Sequence, residues 1–364
     1  MKPPYLSLVI PTSNDTYPSN ELRVQNKCLS ILQHQLERAR LESEILVVEY
    51  NPDPSRPHLH ESLRVDEGHY VTIKAIIVDP KYHRRYRGWE KRRFHQTLAV
   101  NVGLRRSRGR FLVYRAADQI YSEALVWFLS ARALAADGIY RCDRVDVTFP
   151  DWDEVQPDDA ARISRTCEEH VVRRHGPIEV RPSYHIPVRH TNASGDFLLM
   201  SRDTWMKLHG LREGRYPIFL DYDSLALHAA HRLGNREVVL PDDCCVYKLD
   251  HKLKTLDRLR QVWTPGWRKL DPWVRLRTSE TTVNRLRMLL NYPRREDATF
   301  AGVLLDSFER HYLLPAQLWA RGFPIVRQNF GDWGLSREDL TENTLVAGSW
   351  DSTRRTAPVE GGPR

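Results

Sequence analysis

The sequence predicts an α/β fold, a mostly parallel sheet with helices on both faces. Short apolar runs alternate with longer amphipathic ones, the order that builds a parallel sheet through crossover helices. Each apolar run also ends in a cluster of turn-forming residues, as a strand opening into a loop does. The size and composition agree: 364 residues, 41% hydrophobic and 28% charged, can bury a sizeable core. That balance excludes a disordered tail protein, and 18 Gly with 22 Pro excludes collagen-like or low-complexity chains.

The elements follow in order. Tyr5 to Ile10 reads as a buried strand, and Pro11-Thr12-Ser13-Asn14-Asp15 as the loop leaving its carboxyl end. Across residues 22–41, Leu22, Val24, Leu29, Ile31, Leu32, Leu36 and Leu41 recur among charged residues, as an amphipathic helix requires. Ile45 to Val48 is a second buried strand, closed by Glu49 and the turn Asn51-Pro52-Asp53-Pro54. Val71 to Val78 is a third strand, Phe94 to Leu104 a helix, and Arg110 to Tyr114 a fourth strand. Residues 141–192, rich in Arg, Asp, His and Pro with weak periodicity, predict irregular excursions around a site. Beyond them, a strand at 196–201 enters a short helix, Arg202 to Leu208. A helix opening at Asp221-Tyr222-Asp223 runs to Leu233 with Gly234 as its stop, and Val246 to His251 is a last strand. The expected division is a main domain at 1–251, a basic, mostly helical extension at 252–350, and a flexible tail at 351–364.

No apolar run approaches the length that spans a bilayer, so no transmembrane segment is expected, and a peripheral membrane contact stays open. Five cysteines without a Cys-x-x-Cys pair suit a reducing cytoplasm, with the adjacent Cys244 and Cys245 read as buried strand residues. The net charge of +8 points to an anionic partner. The basic runs at 83–87, 91–93 and 105–106 alternate with aromatics, a pattern that suits nucleic acid, a diphosphate or a solvated face.

In a parallel sheet, ligands bind beyond the carboxyl ends of the strands. That rule singles out the loops at Pro11–Asp15, Glu49–Pro52 and Ala116–Ile120. Asp118 could hold a divalent cation bridging to phosphates, or cap the next helix, for which Ser122 competes. Asp196 could face a ligand or cap a turn. Asp221 and Asp223, at a helix start, suit either a general base or a plain cap. His228 and His231 read as packing, and His251 as a metal ligand only if its strand end neighbours Asp118.

The order of these signals is more specific than any one of them. Strand-Pro11-Thr12-Ser13-Asn14, strand-Glu49-Tyr50-Asn51, Arg93, Asn101-x-Gly103, Gly109-x-Phe111-Leu112, Asp118, Gly195-Asp196-Phe197, an acidic helix start and a terminal His251 follow one another. In this the chain resembles GT-A fold glycosyltransferases of the family-2-like kind, over roughly residues 5–251. The resemblance implies a Rossmann-like nucleotide-sugar-dependent domain at 1–251, with the extension on the acceptor side. It implies that Pro11, Thr12, Ser13 and Glu49 hold the base and ribose of the donor, and that Arg93 and Asn101 line the nucleotide or diphosphate. Asp118 matches the last acid of the fold's Asp-x-Asp motif and His251 the late histidine, together implying Mn²⁺ or Mg²⁺. The motif's first acid is Ala116 in this chain, a departure that weakens the metal site. Asp223, or in second place Asp221, matches the carboxylate that deprotonates the acceptor in inverting members. Asp196 is placed toward the acceptor. Trp263 and the Trp333-Gly334-Leu335 stretch resemble parts of acceptor-side tails.

The expected activity is therefore glycosyl transfer, inverting and metal-assisted, from a nucleotide-diphosphate sugar to a hydroxyl of a glycan, as in polysaccharide biosynthesis. Two rivals remain at this stage. One is a catalytically inactive nucleotide-sugar-binding protein, which Ala116 favours. The other is a nucleic-acid-binding protein, against which stands the absence of any recognised module, so that no nucleic-acid partner is expected.

Overall fold

The computed structural model describes residues 3–15, 22–86, 89–91, 93–148, 155–175, 196–214, 222–249, 327–329 and 331–347. Strands β1 (Leu6–Thr12) and β2 (Ser43–Tyr50) are buried at every position, because helices cover both of their faces. α1 (Leu22–Arg38) joins them, with Leu29, Leu32 and Leu36 turned to the sheet. A short α2 (Leu59–Ser62), β3 (Val71–Val78), α3 (Pro80–His83), α4 (Gln96–Arg106) and β4 (Phe111–Tyr114) complete the first half. β1, β2, β3 and β4 pair in parallel, in the spatial order β3-β2-β1-β4.

The alternation of side chains along each strand builds two cores. Leu6, Leu8, Ile10, Ile45, Val47, Phe111 and Val113 pack under α1 and α5 (Glu123–Ser130). Val9, Leu46, Val48, Leu112 and Tyr114 pack on the other face under α4 and two later helices. Contact with α4 is close: a Cβ on Gly103 would lie 2.3 Å from Val9 Cγ1, so only glycine lets this helix sit on β1.

Between β4 and α5 lies the short β5 (Gln119–Tyr121), followed later by β6 (Gly138–Arg141), β7 (Asp143–Val147), α6 (Ala160–Glu169) and β8 (Val171–His175). Of the stretch 141–192, expected to hold irregular excursions, β7, α6 and β8 are regular, while 149–154 and 176–192 lie outside the described residues. β9 (Leu198–Ser201), α7 (Arg202–Leu208), α8 (Tyr222–Arg232) and β11 (Cys245–Leu249) follow as expected in position, and a further strand, β10 (Arg236–Val239), lies between α8 and β11. α7 and α8 cover the α4 face, through Trp205, Leu208 and Leu225.

The main sheet runs β10-β6-β9-β4-β1-β2-β3-β12, with β12 being Thr341–Leu345. β9 enters it antiparallel to β4 and β6, while β10 and β6 pair in parallel. A second sheet, β5-β11-β7-β8, lies alongside. Its apolar face (Ile120, Val145, Val147, Cys245, Tyr247, Leu249) packs on Cys28 and Ile31 of α1 and Ile163 and Cys167 of α6.

Residues 252–326, most of the stretch expected as a helical extension, lie outside the described residues. Where the stretch is described, at 331–347, it forms turns and the edge strand β12, antiparallel to β3 from Thr341↔Ile77 to Leu345↔Ile73. All five cysteines are free and buried, with the Cys244–Cys245 pair at the start of β11. No helix among the described residues is long and apolar enough to cross a membrane.

Candidate functional site

The strand order β3-β2-β1-β4 reverses direction at β1. A crevice opens there beyond the carboxyl ends of β1 and β4, the place where open α/β sheets bind nucleotides. Pro11 marks it. The Val9 carbonyl accepts the Arg115 N–H at 2.9 Å, so Pro11, two residues on, faces the same side. β4 has by then ended its pairing at Tyr114, and the missing proline donor is not needed.

The crevice walls are built from hydrogen bonds within the chain. Thr12 Oγ1 donates to Gln25 Oε1 at 3.0 Å, and Gln25 Nε2 donates to the Ser13 carbonyl at 3.1 Å, tying this loop to α1. The Asn14 side chain grips the next loop: its Oδ1 accepts from Asp53 N at 2.6 Å and its amide reaches the carbonyls of Asp53 and Pro57. Buried Glu49, at the end of β2, accepts from Leu59 N at 3.1 Å and pairs with His58 Nδ1 at 3.0 Å. Burial raises the Glu49 carboxyl above its ordinary value, and His58 works against that shift. Arg93 stands over the Asp53 loop, 75% exposed, with Nη1 3.8 Å from Asp53 Oδ2.

Beyond β4, the buried Arg115 lays its guanidinium over the Tyr121 ring at 5.0 Å and donates to the Ala116 and Gln119 carbonyls. Asp118 is buried, and its carbonyl accepts Leu249 N–H at 3.1 Å, which brings the end of β11 to the crevice. The alternative that Asp118 caps α5 is set aside, because Ser122 Oγ accepts the Leu125 N–H there.

The second sheet supplies the charged part. Its strands alternate, so the face opposite its apolar core carries Gln119 (β5), Lys248 (β11), and Asp146 and Arg144 (β7). Asp196 is buried against this face: it accepts from Lys248 Nζ at 2.8 Å, Arg144 Nη1 at 2.9 Å and Gln119 Nε2 at 2.9 Å. Burial opposes ionisation of Asp196, but Lys248 and Arg144 overcome it and hold the carboxyl below its ordinary value. Arg144 also forks onto Asp146, which His175 Nε2 approaches at 2.8 Å. For Lys248 the order is similar: burial disfavours the ammonium, and Asp118 first, then Asp196, more than restore it.

Asp223 lies in the first turn of α8. After burial, Asp223 is the leading cause that raises the phenols of Tyr114 and Tyr222, and Asp196 acts on both rings as well. It also supports the charge of buried Arg141, whose Nη1 donates to the Phe197 carbonyl at 2.6 Å. Asp196 thus bonds Lys248 directly, and Asp223 and Asp196 act on the same two buried phenols.

Asn101 departs from its expected place on the nucleotide. Its side-chain amide is committed within the chain, Nδ2 to the Leu211 carbonyl at 2.6 Å and to Glu213 Oε1 at 2.7 Å, while Oδ1 accepts from Leu211 N at 2.7 Å. Gly210 sits at φ +69° against it, where an added Cβ would be 2.3 Å from Asn101 Oδ1. Trp333 is likewise structural: it stacks on His209 with Arg105 over its ring. Asp221, His251 and Trp263 lie outside the described residues.

No family model matches the chain, and no curated protein matches it. Among solved structures, it is similar to S. aureus TarS 1–349, at 13% identity over 86% of this chain and 80% of that one, with a TM-score of 0.42. The same TarS piece in complex with UDP-GlcNAc gives 14% identity over 68% and 58%, with a TM-score of 0.40. A mutant of Drosophila beta-1,4-galactosyltransferase 7, in complex with manganese, UDP-Gal and xylobiose, gives 12% over 68% and 73%, with a TM-score of 0.36. At such identities and scores, the sheet order and side chains of this chain must carry any functional reading.

The described side chains offer a divalent cation few ligands, and His251, the other expected ligand, lies outside the described residues. Among the described residues no group of three or more His, Cys, Asp or Glu side chains is arranged to hold one. The side chain of Ala116 offers no metal ligand, and the charge of Asp118 acts to favour the ammonium of Lys248. Sequence reasoning missed Lys248, Arg144, Asp146 and Arg141. A signal existed: Asp143-Arg144-Val145-Asp146-Val147 alternates polar and apolar, the mark of a strand with one wet face.

Proposed function

We propose that this chain is a GT-A-type glycosyltransferase, moving a sugar from a nucleoside-diphosphate donor to a hydroxyl acceptor with inversion. One observation carries the reading. The sheet reverses its order between β1 and β4, the loops at that point hold Thr12, Ser13 and Asp118, and the Asp118 carbonyl holds the end of β11, which carries the Lys248–Asp196–Arg144 cluster. In this reading the nucleoside lies against the Pro11–Ser13 loop, with Arg93 over the crevice mouth. Glu49 and Asn14 shape the wall by fixing residues 53–59. Asn101 acts at one remove, by holding the segment that leads to α8.

The transfer step balances simply. The acceptor oxygen forms a bond to the anomeric carbon as the bond to the diphosphate breaks, and that electron pair leaves on the phosphate oxygen. In this reading the hydroxyl proton passes to Asp223, in the first turn of α8, and Asp196 belongs to the acceptor side. Positive side chains around the diphosphate stabilise the charge it gains. The five free buried cysteines fit a reducing, cytoplasmic setting.

A panel of nucleotide sugars tests the reading by thermal shift and by transfer to glycan acceptors. A true donor stabilises the chain by about 2.7 kcal/mol at a hundredfold excess over its Kd. Asp223→Asn then lowers transfer by about a hundredfold or more while donor binding stays. If Asp223→Asn transfers normally and Asp221→Asn does not, the base is Asp221. Ala116 favours one second reading, a nucleotide-sugar-binding protein without transfer. Stabilisation by a donor with no transfer to any acceptor would identify it.

A further inference from the structure

The clearest chemical disagreement in the molecule lies beside Asp118. The resemblance calls for a divalent cation there, yet the chain puts alanine at 116 and brings β11 alongside, with Leu249 N–H on the Asp118 carbonyl at 3.1 Å and Lys248 in register with Gln119. Lys248 is not a stray surface charge. It stands in β11 between apolar Tyr247 and Leu249, and the strand alternation turns it away from the core those two enter. In register it lies across from Gln119 on one side and Asp146 on the other. Asp196 anchors it at 2.8 Å, and 26% of its side chain remains exposed. An ammonium carries three donors, so the bond to Asp196 leaves others to turn toward a ligand. Arg144, fixed by Asp146 and Asp196, adds a second cation to the same face.

Building on the glycosyl-transfer reading, we infer that Lys248 is the resident cation of this site. Its ammonium meets the leaving diphosphate where a metal would otherwise sit, and donor binding needs no added metal. A lysine binds phosphate as a point charge, the same electrostatic service at lower charge. Asp118 and Asp196 then act as positioning residues that aim the ammonium.

The test uses the full chain with UDP, GDP, ADP and CDP as probes, titrated calorimetrically in EDTA and again in Mn²⁺. The diphosphate that binds should do so with Kd values within about threefold in the two buffers, a difference under 1 kcal/mol. Lys248→Gln should weaken it by about tenfold or more in EDTA, as loss of a charge-assisted bond does, and Lys248→Arg should recover most of that loss. Lys248→Gln should also gain Mn²⁺ dependence, because Asp118 and Asp196 are left without their ammonium; a merely structural lysine would not produce that gain. Wild-type binding that vanishes in EDTA and returns with Mn²⁺ overturns the inference but leaves glycosyl transfer standing. This comparison needs no variant to fold. Undiminished binding by Lys248→Gln overturns it as well. If none of the four diphosphates binds in either buffer, the glycosyl-transfer reading falls and takes this inference with it.

Discussion

At Glu213 a single carboxylate oxygen accepts two donors, Asn101 Nδ2 at 2.7 Å and Gly334 N at 2.8 Å. Burial pushes this carboxyl up to about 7, against the hydrogen bond from Asn101. The folded chain therefore holds a proton that the unfolded chain releases near the ordinary glutamate value. Stability from this group is complete below that value and is lost as pH rises toward and through about 7. We expect the melting temperature to fall between pH 5 and pH 8, and Glu213→Gln, which keeps the hydrogen bonds without the titration, to flatten that fall. Asn101 shows what a residue-level resemblance can and cannot tell. Its presence was legible in the sequence, but its role depends on Leu211 and Glu213, more than a hundred residues away, which no local pattern reveals.

Among elements, the α4–β1 contact depends on a single glycine. Gly103→Ala would push a methyl into Val9 on the central strand, and we expect a loss of about 1–3 kcal/mol in denaturant unfolding. The strands of the first half were legible because burial on both faces makes them continuously apolar. β7, β8 and β12 were not, each for a physical reason. β7 and β8 belong to a sheet with one polar face, so arginines, aspartates and histidines interrupt their apolar signal. β12, Thr341-Glu342-Asn343-Thr344-Leu345, is an edge strand whose partner rather than its own side chains makes it a strand. The candidate site suffered most from this. Its carboxylates stood at strand ends and helix starts, where sequence rules look, whereas Lys248 and Arg144 sit within strands that were read as apolar or irregular.

For the whole molecule, the net charge of +8 is partly an internal fastening. Arg85 pairs with Glu338 at 3.0 Å, and Arg106 donates to the carbonyls of Gly334, Leu335 and Glu338 and lies 3.5 Å from Glu342. The basic, aromatic-flanked runs that suggested nucleic acid thus hold the 331–345 segment against the first half of the chain. Arg106→Ala should release that segment, seen as faster hydrogen exchange at 341–345, at a cost of about 1–3 kcal/mol for the carbonyls left without donors. Removing residues 331–347 should go further and produce self-association detectable by light scattering, because β3 would become an open edge. The same closure sets a schedule for synthesis. β3 has left the ribosome long before β12 exists: residues 79–340 lie between them, on the order of tens of seconds of translation. Through that interval the hydrogen-bonding edge of β3 waits unsatisfied, with Lys74 as a charged guard on the strand until Glu342 arrives to pair with it. A nascent chain stalled before residue 340 would be a different protein in its neighbours' eyes, a sheet still recruiting a strand.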